Sequence, residues 1–325
     1  MALMLDERAV AGLLDHAELI PLMRRTLTEF SSGGALQPVR STLRIEAHGS
    51  ACYVMPGYLA ASGALAIKVV SVAPANASRG LPNVLGTLLL LDPASGALLA
   101  VMDARLITEA RTAAVSAAAA QALALPGARD LALIGSGVQA RSHLAALALV
   151  RNLERVRVWS PSRERREAFA RKHAAPGFTI EAVEDAERTV RGADMVVTAT
   201  GSAAPVVKGA WLAPGCCVLA VGASRPGARE LDGEAMKRAH VFVDSRAAAS
   251  AEAGDILLAE HEGAIGADHV RGEIGEVFSG TLRGRTAPEQ IMLFKSLGQA
   301  VEDAATALHV YERARAAGVG LQLAL

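Results

Sequence analysis

The sequence predicts an α/β protein in which a parallel sheet, covered by helices on both faces, is joined to a second, α+β part. Beyond about residue 125, runs rich in Val, Leu and Ile alternate with helical segments, an alternation typical of βα units. Before residue 104, short apolar or alternating runs are separated by Gly, Pro, Asn and Asp, which indicates mostly antiparallel strands.

The first part of the chain predicts two short helices and then a meander. Asp6 and Asp15 are candidate N-caps, and apolar residues recur at helical spacing until SSGG ends the pattern. The meander is followed by an alanine-rich helix from Ala104 to about Leu125, which PGARD ends. The five meander strands are VRSTLRIE, ACYVMPGYL, LAIKVVSV, VLGTLLLLD and ALLAVMD.

The βα series begins after this helix. Its strands are predicted at DLALIG, RVRVWS, FTIEAV, ADMVVTAT, CCVLAVG and HVFVD, with helices between them. The tail FKSLGQAVEDAATALHVYERARAAG predicts one amphipathic helix.

Composition excludes several classes of function. A chain of 325 residues, 51% apolar and 20% charged, is expected to be globular. Its 33 basic and 33 acidic residues give no electrostatic reason to expect nucleic acid or a membrane surface as a partner. Neither a signal peptide nor a membrane-spanning segment is predicted. The cysteines, Cys52, Cys216 and Cys217, do not suit a disulfide framework, so we expect a reduced, cytoplasmic setting.

A glycine turn in LALIGSGVQARSHL predicts a dinucleotide-binding domain of the Rossmann type. Gly135, Gly137 and Ala140 form G-x-G-x-x-A between a buried strand and a helix, where the backbone can approach a pyrophosphate. Expected cofactor contacts lie in this turn and after later strands: Gly135, Ser136, Gly137, Val138, Gln139, Ser160, Arg163, Thr198, Ala199, Thr200, Val221 and Ser296.

The strand after the glycine turn favours NADP over NAD. An NAD enzyme usually has a carboxylate at the end of this strand, whereas RVRVWS ends in Ser160 and is followed by Arg163. A guanidinium there can pair with a 2′-phosphate. The alternative is that Arg163 is a solvated residue in the first turn of a helix.

Six segments, in order and over nearly the whole chain, resemble a known family. They are MPGYL, AIKVVSV, RGLPNVLGTLLLLDPASGALLAVMDARLITEARTAAVSAAAAQAL, IGSGVQA, VGASRPGARELD and FKSLGQAVEDAA. The chain resembles the ornithine cyclodeaminase and mu-crystallin family, which acts on the C–N bond of α-amino or α-imino acids with a bound nicotinamide. The resemblance implies a Rossmann domain at 119–299, a split α+β substrate and dimerisation domain at 1–118 with the helix 300–325, and a homodimer.

By this resemblance, three cations bind the substrate carboxylate: Arg40, Lys68 and Arg111. Lys68 interrupts an apolar strand and Arg111 lies in an alanine-rich helix, so each would need a partner if buried. The alternatives are surface exposure or salt bridges to Glu46 or Glu109, and Arg44 competes with Arg40. Lys68 is also a candidate proton donor. Asn83 either lines the same pocket or belongs to the chemistry of a turn.

The loop AVGASRPGARELD indicates which branch of the family the chain resembles. Where cyclodeaminases carry an aspartate this chain has Ser224, and where they carry a glutamate before MP it has Tyr53. Cyclisation of ornithine needs several proton transfers, whereas reduction of a formed imine needs little beyond hydride delivery and a carboxylate clamp. We therefore expect NAD(P)H-dependent reduction of a cyclic imino acid, with Lys68 and Ser224 in the catalytic site.

Several alternatives stay open. Ornithine cyclodeaminase, an alanine dehydrogenase-like enzyme and a non-catalytic NADP(H)-binding protein are the competing functions. The eight histidines are scattered without paired spacing, so we expect no metal site. Ser296 either caps the last helix or meets the nicotinamide carboxamide.

Overall fold

Two sheets, each in its own unit of the chain, organise the protein. The structure, a computed structural model, describes residues 1–324. The first unit contains Met1–Arg111 and the segment from Gly298 onward, and the second contains Thr112–Leu297. These boundaries lie before the expected 118 and 299, and the first of them falls within the helix that runs from Arg105 to Leu123.

The first stretch of the chain confirms the predicted helices and strands and adds two short strands, β1 and β2. Asp6 and Asp15 cap the two helices, and each carboxylate accepts a backbone N–H, from Ala9 and Ala17. The elements are β1 (Ala2–Leu5), α1 (Glu7–Ala11), α2 (His16–Ser31), β2 (Ala35–Leu36), β3 (Ser41–Ile45), β4 (Ser50–Leu59), β5 (Ala64–Val72), β6 (Val84–Leu91), β7 (Leu98–Asp103) and α3 (Arg105–Leu123).

The second unit follows the predicted alternation of strands and helices. Its elements are β8 (Asp130–Ile134), α4 (Val138–Ala148), β9 (Arg155–Trp159), α5 (Arg163–Lys172), β10 (Thr179–Ala182), α6 (Ala186–Val190), β11 (Met195–Thr198), β12 (Cys217–Ala220), α7 (Gly233–Arg238), β13 (Ala239–Val243), α8 (Arg246–Glu252), α9 (Gly254–His261), β14 (Val270–Glu273), α10 (Ile274–Ser279) and β15 (Ile291–Lys295).

The chain then returns to the first unit as α11 (Ala300–Ala317) and β16 (Leu321–Leu323). The predicted tail helix starts too early, because Phe294 and Lys295 belong to β15. Ser296 does not cap this helix, since Gln299 occupies the N-cap position.

The first unit is built on a mixed sheet with the strand order β16-β1-β7-β6-β5-β4-β2, and β3 pairs with β4. Strands β3 to β7 are antiparallel neighbours, whereas β1 runs parallel to β7. Helix α11 packs against β4 and β5 and is itself in contact with α2. A cross-strand row of buried residues contains Met55, Lys68, Leu88 and Met102.

The alternate positions of this sheet are also apolar but only partly buried. Pro56, Ile67, Leu89 and Val101 form the next cross-strand row, and each keeps part of its surface exposed. An antiparallel sheet with one solvated face normally carries polar residues there. We call this row, with the exposed Val54 beside it, the open face.

The second unit is built on a parallel sheet with the strand order β10-β9-β8-β11-β12-β15-β13-β14. Strand order reverses between β8 and β11, and ligands of doubly wound folds bind at the carboxyl ends of strands at such a point. The central strands β11, β12 and β15 are fully buried, as helices on both faces require. Within residues 1–324, no helix is both long and apolar enough to cross a membrane.

Candidate active site

The glycine turn lies between β8 and α4, as the sequence predicts. Gly135 has φ +119°, and a Cβ there would lie 2.5 Å from the carbonyl oxygen of Ala199, so the fold itself requires glycine. A Cβ on Gly137, in contrast, meets no atom of the described chain within 4 Å. The chain itself therefore does not require glycine at this second position, and the space left at the N-terminus of α4 is what the predicted pyrophosphate contact needs.

Hydroxyl groups connect this turn to the end of β9. Ser136 Oγ donates to Ser160 Oγ at 2.9 Å, and Ser160 Oγ donates to the carbonyl of Ser162 at 3.2 Å. Val138 and Gln139 follow as the first residues of α4, whose N-cap Gly137 has no side chain to accept their N–H groups. These backbone donors are the groups that would hold a phosphate.

The register of the sheet brings the other expected cofactor residues to one edge. Thr198 pairs with Ile134 on one side and with Ala220 on the other, and Ala220 pairs with Lys295. The residues that follow these strands therefore lie in one row at their carboxyl ends. The row contains Gly135, Ala199, Thr200, Val221 and Ser296.

A buried glutamate that we did not predict holds two of these strand ends together. Glu230 accepts hydrogen bonds from Thr198 Oγ1, Thr200 Oγ1 and the N–H groups of Thr200 and Gly222, all at 2.6–2.7 Å. Burial raises the pKa of Glu230, although Lys295 and the threonine donors oppose the shift. The carboxylate thus fixes the loops after β11 and β12, where the nicotinamide end of the cofactor is expected.

Glu230 is in turn positioned by an ion pair. Asp255 Oδ1 accepts the N–H groups of Glu230 and Leu231 at 2.7 and 3.0 Å. Its second oxygen lies 2.9 Å from Lys295 Nζ, and both side chains have zero exposure. Lys295, at the end of β15, therefore supports the scaffold below the strand ends.

Two arginines of α5 lie near the end of β9, where a 2′-phosphate is expected. Arg163 begins α5 with its side chain 81% exposed, and its Nε donates to Glu167 at 2.6 Å. This is the arrangement of a solvated helix residue, the alternative stated above. Arg166, on the same helix, is partly buried and donates Nη1 to the carbonyl of Ser160 at 3.1 Å.

On the first unit, Lys68 and Arg111 are both buried and share acidic partners from α11. Lys68 Nζ forms an ion pair with Asp303 and also donates to Thr108 Oγ1 at 3.4 Å. Arg111 Nε donates to Asp303 Oδ1 at 2.9 Å, and Arg111 Nη1 donates to Glu302 at 2.5 Å. Asp303 therefore bridges the two expected carboxylate-binding cations.

This cluster changes how readily its members give up protons. Burial lowers the pKa of Lys68 to about 8, because the loss of water outweighs the attraction of Asp303, while Arg111 lowers it further. Burial acts on Asp303 in the opposite direction, but the charges of Arg111 and Lys68 keep the pKa of Asp303 below its ordinary value. A lysine with this pKa still carries a proton at neutral pH, which is what a proton donor requires.

Arg40 and Asn83 differ in how closely they approach this cluster. Arg40 is partly buried and donates Nη2 to the carbonyl of Gly298 at 3.3 Å, whereas its rival Arg44 is exposed on β3. Asn83 is exposed, and its backbone carbonyl accepts the N–H of Ala73 at 2.8 Å. This backbone contact does not decide between the two alternatives for Asn83, and its role in the pocket stays a prediction.

The loop that carries Ser224 follows β12 on the second unit. Ser224 is partly buried there, in the same loop that Glu230 anchors at Gly222. Tyr53 lies in β4 of the first unit and is also partly buried. The catalytic role of Ser224 stays a prediction.

Comparison with known proteins identifies the family. The sequence profile of the ornithine cyclodeaminase/mu-crystallin family matches residues 1–318. This chain belongs to that family. The expected resemblance and the expected fold class, a Rossmann-type sheet with a second α+β part, are both confirmed.

Relatives in the family are similar over almost their full lengths. Ketimine reductase mu-crystallin of Rattus norvegicus is 42% identical over 297 residues, which cover 90% of this chain and 91% of the relative. The structure of Thermococcus litoralis Δ1-pyrroline-2-carboxylate reductase with NADH and L-proline has a TM-score of 0.96 and 38% identity, over 99% and 100% of the two chains. An archaeal alanine dehydrogenase dimer with bound NAD has a TM-score of 0.95 and 34% identity, over 100% and 99%.

Sequence reasoning missed the acids of this ornithine cyclodeaminase/mu-crystallin site. Glu302, Asp303 and Glu230 lie inside segments that resemble the family, yet none received a role. Two acids in the first turn of a helix are ordinarily explained by the helix dipole. The signal that would have found them is the need of two buried cations for buried anions.

Proposed function

We propose that the protein reduces a small cyclic imino acid, such as Δ1-pyrroline-2-carboxylate or Δ1-piperideine-2-carboxylate, to L-proline or L-pipecolate with NAD(P)H. The observation that carries this proposal is the buried cluster of Lys68, Arg111 and Asp303, which combines carboxylate-binding cations with a lysine of lowered pKa. The relationship to ketimine reductase and Δ1-pyrroline-2-carboxylate reductase supports it.

Each residue of the cluster has a separate task. Arg111 and Arg40 bind the substrate carboxylate, with charge-assisted hydrogen bonds that fix the ring in one orientation. When bound, the nicotinamide supplies the hydride for the imine carbon. Lys68 supplies the proton to the imine nitrogen, so that the C=N bond becomes CH–NH with one hydride and one proton added. Asp303 keeps Lys68 oriented and favours its charged form.

The cofactor is assigned to the row of strand ends on the second unit. Gly137 and the first N–H groups of α4 hold the pyrophosphate, and the loops anchored by Glu230 lie along the nicotinamide half. Ser296 Oγ is buried and has no hydrogen-bond partner among residues 1–324, so we assign it to the nicotinamide carboxamide. NADP(H) is preferred, because β9 is followed by Ser160 and a guanidinium-bearing helix instead of a carboxylate.

The loop after β12 argues against ornithine cyclodeamination. Ser224 offers a neutral hydroxyl where loss of ammonia needs an acid–base group. An alanine dehydrogenase-like reaction is the second candidate, which the likeness to the archaeal enzyme favours. A purely binding role does not explain why a lysine of lowered pKa lies near the charges of Arg111 and Arg40.

We also propose that the protein acts as a cytoplasmic homodimer. The open face offers a second copy a contiguous apolar surface, formed by Pro56, Ile67, Leu89 and Val101. Cys52, Cys216 and Cys217 are all free thiols, which fits a reducing compartment.

A direct assay tests this function. Purified protein is mixed with NADPH or NADH and a panel of cyclic and open-chain imino acids, and oxidation is followed at the nicotinamide absorbance. The proposal expects oxidation with cyclic imino acids and slower oxidation with pyruvate plus ammonia. Faster oxidation with pyruvate plus ammonia than with cyclic imino acids would favour alanine dehydrogenase activity over the proposed function.

A further inference from the structure

Two glutamine side chains at the start of α11 form an ordered chain of hydrogen bonds. The N–H of Val301 donates to Gln37 Oε1 at 2.9 Å, which leaves Gln37 Nε2 as a donor. Gln37 Nε2 donates to Gln299 Oε1. Because a backbone N–H can only donate, it fixes the orientation of the first amide, and the first amide fixes that of the second.

The end of this chain is a buried donor. Gln299 is 2% exposed, and its Nε2 has no hydrogen-bond partner among residues 1–324. An amide donor that is removed from water without an acceptor is costly, so such a group calls for an acceptor to meet it. The orientation of Gln37 prevents Gln299 from turning its oxygen to that position instead.

Gln299 adjoins the stretch of backbone that contacts the cations we assign to the substrate. Gln299 directly follows Gly298, whose carbonyl accepts from Arg40 at 3.3 Å. A Cβ on Gly298 would lie only 2.6 Å from Arg111 Nη1, so the guanidinium lies against this backbone. Gln299, Arg40 and Arg111 are thus gathered around one glycine.

We propose that Gln299 is a substrate-recognition residue that donates Nε2–H to the substrate carboxylate. This inference rests on the proposed function and extends it. In the proposed reaction the imine nitrogen receives its proton from Lys68, so the carboxylate oxygens are the acceptors that remain for a donor amide. Two guanidinium groups and one amide then share the two carboxylate oxygens.

The test compares Gln299→Met and Gln299→Glu with the wild type. The carboxylate does not react, so its contact is equal in the ground and transition states and its loss raises KM with kcat unchanged. We expect KM for Δ1-pyrroline-2-carboxylate to rise about tenfold or more in Gln299→Met. Gln299→Glu keeps the acceptor for Gln37 but presents a negative charge, so its KM rises further.

Two controls separate recognition from a structural role. KM for Δ1-pyrroline, which lacks the carboxylate, should be the same in both Gln299 variants as in the wild type. KM for Δ1-pyrroline-2-carboxylate should rise less in Gln37→Leu than in Gln299→Met, because Gln37→Leu removes only the residue that orients the Gln299 amide. A KM within twofold of wild type in Gln299→Met, or equal losses on both imines, would overturn the proposal.

A binding measurement distinguishes failure of this inference from failure of the proposed function. If the wild type reduces no imine, the proposed function fails, and calorimetry with pyrrole-2-carboxylate tests Gln299 by itself. Affinity that drops about tenfold in Gln299→Met supports carboxylate recognition even then. Equal affinity in the two proteins contradicts it.

Discussion

Each unit of the protein buries a lysine beside an aspartate, but the two pairs are built differently. In the second unit, one oxygen of Asp255 accepts two backbone N–H groups and the other faces Lys295, and the next acid, Glu230, is fully used by hydroxyl and backbone donors. In the first unit, the oxygens of Asp303 face two cations, Lys68 and Arg111.

On the proposed roles, burial of a lysine does not by itself mark a reactive group. The acids of the second unit bind the backbone, so their charges position loops. Asp303 of the first unit pairs with the side chains of Lys68 and Arg111, so we expect that a substrate carboxylate can join or replace it with little change to the backbone. A buried charged cluster is a candidate for chemistry when its charges pair with other side chains and do not bind the backbone.

Replacing each lysine by methionine should separate the two roles most strongly. Lys68→Met should reduce kcat for imine reduction about 10²–10⁴-fold, because the proton donor is lost, while Asp303 keeps Arg111 as a partner. Lys295→Met should lower the free energy of unfolding by about 3–5 kcal/mol, because Asp255 keeps a buried charge without its ion pair. Urea unfolding and steady-state kinetics measure both quantities. A large loss of stability in Lys68→Met with full activity would reverse the assignment.

Replacing Glu230 should weaken cofactor binding and leave substrate binding unchanged. Glu230→Gln places an amide NH₂ against the N–H of Thr200 or Gly222, so one buried donor loses its acceptor, at a cost of about 1–3 kcal/mol. We expect weaker NADPH binding in a fluorescence titration, with KM for the imino acid unchanged. Unaltered affinity for NADPH would show that these loops do not touch the cofactor.

The pH dependence of kcat/KM should report the first cluster. Lys68 is protonated below its pKa of about 8, so kcat/KM falls as pH rises through that value. Asp303 raises the pKa of Lys68, and Asp303→Asn should therefore move the fall to lower pH. The substrate imine titrates identically in assays of both proteins, so it cannot account for a difference between their pH profiles. Identical profiles in the two proteins would remove Lys68 from the role of proton donor.

Cofactor preference should depend on the arginines of α5. Arg163→Ala is expected to lower the ratio of NADPH to NADH activity about tenfold, because a charge-assisted contact to the 2′-phosphate is lost. Arg171→Ala is the matched control, since Arg171 lies on the same helix and faces the same Glu167. If only Arg166→Ala changes the ratio of NADPH to NADH activity, then Arg166, whose guanidinium lies near Ser160, binds the 2′-phosphate instead.

The smallest effect is expected at Ser224. Ser224→Ala should change kcat less than about tenfold, because a neutral hydroxyl contributes about 0.5–1.5 kcal/mol through one hydrogen bond. Steady-state kinetics with a cyclic imino acid measures this. A loss as large as that of Lys68→Met would place an essential proton transfer at Ser224.

Local patterns predicted the fold better than they predicted the partners of the charged residues. The strand–helix alternation and the caps Asp6 and Asp15 depend on neighbouring residues, whereas β1 and β16 are very short strands that pair across the length of the chain. Arg111 and Asp303 are 192 residues apart, and no spacing rule links them. The sequence identified the cations, but only the packing of α11 against β5 reveals their anions.

The central claim is that the charged cluster of the first unit serves imine reduction and not loss of ammonia. One preparation of wild-type protein tests it, with L-proline formed from Δ1-pyrroline-2-carboxylate measured against NADPH consumed, and ammonia released from L-ornithine measured in parallel. The account predicts one L-proline for each NADPH and no ammonia above the blank. Robust release of ammonia from L-ornithine would contradict it, because another residue would then supply the acid–base group that Ser224 lacks.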